Sequence, residues 1–76
     1  MTPAELRARV AKLRDDVQRE ANDADREARR YADAEDYGNA AEAIGRCRAC
    51  TSLVRWLSAL LSEYDASARG GSAQGD

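Results

Sequence analysis

A chain of 76 residues makes one small domain, whose core stays thin unless a metal, a disulfide or a partner supplements it. Its 12 basic and 14 acidic residues are interspersed and sum to a formal net charge of -2, the pattern of a solvated helical surface and not of a basic nucleic-acid stripe. No run approaches the roughly 18 apolar residues of a membrane span, and the opening MTPAELRARVAKLR lacks the apolar segment of a signal peptide, so a cytoplasmic protein with reduced thiols is expected.

Thr2 is placed to cap a helix, with Pro3 at its first position and Glu5 three residues after the cap, as in a capping box. Leu6, Val10, Leu13, Val17, Ala21, Ala24, Ala28 and Tyr31 then recur at intervals of three and four. That spacing averages about 3.6 residues and predicts a straight helix over 3–34 with one narrow apolar stripe. Arg, Asp and Glu occupy the rest of the circumference, so this helix can bury one side only.

The chain turns in DAEDYGNAAEA: Asp36 is a good N-cap, Gly38 relaxes the backbone, and apolar periodicity restarts in a new phase. A turn at about 35–37 and a second helix over about 37–66 follow. Ala28, Ala32, Glu35, Asp36, Tyr37, Ala40 and Ala41 together resemble the UVR hairpin of nucleotide-excision-repair proteins, with its small residues, acidic-acidic-aromatic turn and Ala-Ala pair. Tetratricopeptide-like helix pairs are similar. Ile44 and Gly45 stand where the UVR pattern usually carries an Arg-Asp pair, so the resemblance, over residues 28–50, implies the hairpin shape and not the repair role.

In the second helix, Cys47, Cys50, Leu53, Val54, Trp56, Leu57, Leu60, Leu61 and Tyr64 spread over nearly half the circumference, more than one neighbouring helix can cover. Folding at 35–37 sets Ala24 and Ala28 against Cys47 and Cys50, and Leu13 and Val17 against Leu57 and Leu61. The two thiols, in the stretch CRAC, then read first as small apolar groups packed on alanine. A dithiol redox site normally sits at a helix N-terminus, and zinc needs about four ligands where this chain offers two thiolates and no histidine. Cys47 and Cys50 are thus metal candidates only if a dimer pools them, and no cofactor is expected. Residues 67–76 are small, polar and glycine-rich and read as a disordered tail.

The remaining candidates are weaker. Arg26, Arg29 and Arg30 lie among Asp23, Asp25, Glu27 and Asp33, a solvated face more than a phosphate site. Asp15-Asp16 and Glu35-Asp36 are adjacent, not convergent, and no partner base accompanies them. The sequence therefore predicts an all-α, antiparallel two-helix hairpin that completes a four-helix bundle by dimerisation. Its expected role is that of a small non-catalytic interaction or regulatory module, of a size that fits phage proteins. Leu53, Trp56, Leu57, Leu60 and Tyr64 would meet a second copy or a larger protein, and neither a membrane nor nucleic acid is expected. The alternatives are a thiol or zinc protein using Cys47 and Cys50, and a nucleic-acid binder using the Arg-rich outer helix.

Overall fold

The computed structural model describes residues 1–73, as two helices with no strand among them: α1, Pro3–Asp33, and α2, Tyr37–Ala73. The start of α1 is fixed by its cap. The Glu5 amide donates to Thr2 Oγ1 at 3.1 Å and the Leu6 amide to the Thr2 carbonyl at 3.0 Å, which satisfies donors that an uncapped helix leaves open.

Its end is a Schellman turn. Ala34 is the C-cap, the Glu35 amide donates to the Ala32 carbonyl at 3.0 Å, and the Asp36 amide donates to the Tyr31 carbonyl at 2.8 Å. The left-handed residue this motif requires is Glu35, at φ 61°, whereas Gly38 has an ordinary negative φ inside the first turn of α2. The conformational freedom expected of Gly38 is thus used three residues earlier, by a residue with a Cβ. Asp36 closes one helix and opens the next: its carbonyl accepts from the Ala40 amide at 3.0 Å and its carboxylate from the Asn39 amide at 3.4 Å and side chain at 2.7 Å.

Two ion pairs mark the antiparallel register. Arg7 meets Asp65 near the open end, and Glu27 meets Arg46 near the turn. Along the seam lie the small buried residues Ala21, Ala24 and Ala28 of α1 and Ala40 and Ala43 of α2, with Leu57 and Leu61 buried towards the open end. Ala24 is fully buried, and no large side chain is. The hairpin is a slab of 60 × 23 × 12 Å with a radius of gyration of 17.4 Å, where a compact chain of this length would have about 11 Å.

Three expectations are corrected. Leu6 and Leu13, placed in the buried stripe, are 54% and 49% exposed. Leu13 is offset by about 60–80° from Val10, Ala21 and Ala28, whereas Leu6 shares the phase of the fully buried Ala24 and is exposed by its place at the open end of the hairpin. Tyr31, placed at the end of the same stripe, is also exposed. The second helix continues past Ala66, because Ser67, Ala68 and Arg69 carry no stop signal and Ala and Arg favour helix, and it runs on through Gly70 and Gly71 to Ala73. The tail expected over 67–76 is therefore helical as far as Ala73, and its last three residues lie outside the described part.

The backbone makes two stabilising substitutions available. Glu35→Gly removes the left-handed strain and should raise unfolding free energy by about 1 kcal/mol. Gly45 lies mid-helix with no atom within 4 Å of an added Cβ, so Gly45→Ala should contribute about 0.5–1 kcal/mol more. Urea titration followed by far-UV circular dichroism measures both, and a loss of stability at either position would contradict the geometry described.

Candidate interaction surface

An α-helix advances about 100° per residue, so Leu53, Trp56, Leu60 and Tyr64 occupy an arc of about 80° on one flank of the buried residues of α2. All four are exposed, Trp56 the most at 60%. Leu57, grouped with them on sequence grounds, is 3% exposed and belongs to the hairpin core beside Leu61, so it is not open to a partner.

Leu6 and Leu13 lie on the flank of α1 that antiparallel packing turns to the same side. The contact is direct at the open end, where Met1, Pro3, Leu6 and Val10 line an apolar cleft of about 260 Å³ with Leu60, Leu61 and Tyr64. The surface is thus built by both helices. The sequence carried a partial signal for it, since Leu13 and Tyr31 share a phase about 40–80° from Val10, Val17, Ala21 and Ala28, and a single averaged stripe merges the two sets.

Arg7 borders this cleft and is tied to Asp65 by two parallel bonds, Nε to Oδ1 at 2.7 Å and Nη2 to Oδ2 at 2.8 Å. The hydrogen bond from Arg7, and then its charge, hold the Asp65 carboxyl below its ordinary value of 3.8. This pair closes the open end as Glu27–Arg46 closes the turn end.

The other candidates do not converge. Cys47 and Cys50 are free, half-buried thiols on the seam side of α2. The described residues contain no group of three or more His, Cys, Asp or Glu side chains placed to hold a metal ion. Arg26 pairs with Asp23, Arg29 with Asp25 at 3.2 Å, and Arg19 with Asp16, whose carboxyl is also lowered by the Lys12 ammonium. The arginine row of α1 is therefore largely neutralised by its own i,i+3 and i,i+4 neighbours. Of the adjacent carboxylates, Asp15 meets Arg14, Asp16 meets Lys12, and Asp36 serves as the cap of α2. No described helix is long and apolar enough to cross a membrane.

No protein-family model matches the chain, and neither a characterised protein nor a solved structure is similar to it at a significant level.

Two outcomes follow from the ion pair and the thiols. Because the folded-state pKa of Asp65 lies below its unfolded value, the stability it contributes is present above about pH 4 and lost as pH falls through the folded value. Asp65→Asn should lower the melting temperature at pH 7 and reduce its dependence on pH below 4, read from melting curves at a series of pH values. Replacing Cys47 and Cys50 together by Ala should leave helix content unchanged and cost about 1 kcal/mol for the lost volume. Stoichiometric zinc in the parent protein, absent from the double variant, would overturn the assignment of these thiols to packing.

Proposed function

We propose that the chain is a non-catalytic protein–protein interaction module that works through the apolar face shared by its two helices around Trp56. The observation that carries this reading is the exposure of Leu6, Leu13, Leu53, Trp56, Leu60 and Tyr64 on one side of a hairpin whose own core is mostly alanine. A contiguous apolar patch on a soluble chain marks a place where another surface docks, and Trp is the residue type most enriched at the energetic centre of such contacts.

The scale of the two surfaces supports the same reading. The seam buries five alanines and two leucines, and Ala contributes far less on burial than the about 1.5–3 kcal/mol of a Leu or Phe. More large apolar side chains stand outside the core than inside it. A partner that covers them adds the stabilisation the hairpin lacks, so binding and folding are thermodynamically linked.

Replacing Trp56 and Leu60 together by Ser should abolish capture of a partner from an extract of the source cells, while Arg26→Ala, on the outer face, leaves capture intact. Helix content measured alongside separates loss of the surface from loss of the fold. A double variant that stays helical and captures the same partner as the parent would remove this face as the working surface.

A further inference from the structure

We propose that the occupant of this face is a second copy of the chain, with the indole of Trp56 from each copy seated in the open-end cleft of the other about a two-fold axis. This rests on the interaction reading above and names its partner.

An isologous contact needs a projecting group and its receptor on the same surface of one chain, because whatever one copy inserts it must also receive. Trp56 and the cleft meet that condition. Trp56 projects from α2 at 60% exposure, and the cleft, between Leu6, Val10, Leu60, Leu61 and Tyr64, opens on the same face one to two turns further along the helix. At 1.5 Å per residue the two are about 9 Å apart. A two-fold axis across the hairpin midway between them, near Ser58 and Ala59, exchanges them.

Size and chemistry fit as well. A volume of about 260 Å³ exceeds the roughly 150 Å³ apolar cavity that accepts benzene, which leaves room for the larger indole. Among the described residues that line the cleft, the one charged side chain, Arg7, is paired with Asp65, so the cleft favours an uncharged ring over an anionic ligand. A guanidinium held beside an indole also adds a favourable cation–π contact.

The exposed area matches what such a dimer needs. The chain exposes 5680 Å², against about 4600 Å² for a compact monomer of 8.3 kDa. The excess, about 1100 Å², is of the order of the 800 Å² that each partner buries in a standard interface. With a formal net charge of only -2 per chain, repulsion between copies opposes the contact weakly.

The test uses the whole purified chain, whose single tryptophan reports its own burial. Sedimentation at tens of micromolar should give a dimer, and dilution should shift Trp56 emission to the red as the dimer dissociates. Trp56→Ala keeps the cleft and loses the indole; Leu6→Glu keeps the indole and spoils the cleft. Both positions are more than half exposed, so the hairpin should tolerate either change, and circular dichroism verifies it. Each variant alone should dimerise at least about tenfold more weakly than the parent. An equimolar mixture should recover a heterodimer with one seated indole, seen as a blue shift of the Leu6→Glu variant on adding Trp56→Ala.

A parent chain that is monomeric at 100 µM overturns the second copy as occupant, while the capture experiment above judges the interaction reading independently. A parent dimer whose variants fail to complement, or whose emission ignores dilution, overturns the seating of Trp56 in the cleft.

Discussion

Two helices that meet through alanine can approach closely, and a close approach along a narrow seam leaves large side chains no room between them. Ala21, Ala24 and Ala28 of α1, Ala40 and Ala43 of α2, and the half-buried Cys47 and Cys50 set this condition for the half of the hairpin nearest the turn. Leu57 and Leu61 enter the seam only further along, where Val10 and Val17 of α1 are half-buried. The remaining large apolar residues of α2 are displaced to its flank, not because they are polar enough for water but because the seam is full. The exposed face is thus a geometric product of the core that excludes it.

The turn makes the consequence specific. By ending α1 in a Schellman motif and starting α2 at the next residue, Glu35 and Asp36 fix both the direction and the phase in which α2 returns. Phase decides which flank of α2 adjoins which flank of α1, so Leu6 and Leu13 lie on the side of Leu53, Leu60 and Tyr64. Ion pairs at both ends hold that alignment. Neither is deeply buried, and their value lies more in specifying register than in stabilising the fold.

The helices and their caps were legible in the sequence because each rests on local chemistry: Thr2, Pro3 and Glu5 at one end, Asp36 at the turn, and a spacing near 3.6 between them. The exposed residues of α2 were legible for a related reason, since an arc wider than one neighbour can cover must leave some of its members outside. What remained hidden depends on tertiary phase. Whether Leu57 or Leu60 enters the seam, and whether Leu13 follows Val10 inward, turns on offsets of about 60° that become decisive only once the partner helix has a definite position. The left-handed residue was hidden for a different reason: Gly38 advertised flexibility, but the hydrogen bonds of the Schellman turn required it at Glu35.

The same argument explains why the open end, and not the turn, is where the apolar face becomes concave. Near the turn the facing residues are alanines, whose short side chains let the helices close against each other, and the flanks there carry Glu20, Glu27 and Arg46. Towards the termini the seam residues grow to Val10 and Leu61, and Leu60 and Tyr64 on the flank line a cleft that Pro3 and Leu6 border. A gradient from small to large along one seam thus produces a closed, charged end and an open, apolar one. Trp56 lies between them, at the point where the rim of charge gives way to exposed hydrocarbon. Trp56 itself, fixed on the same helix about two turns from the cleft, cannot fold back into it without breaking the helix that presents it.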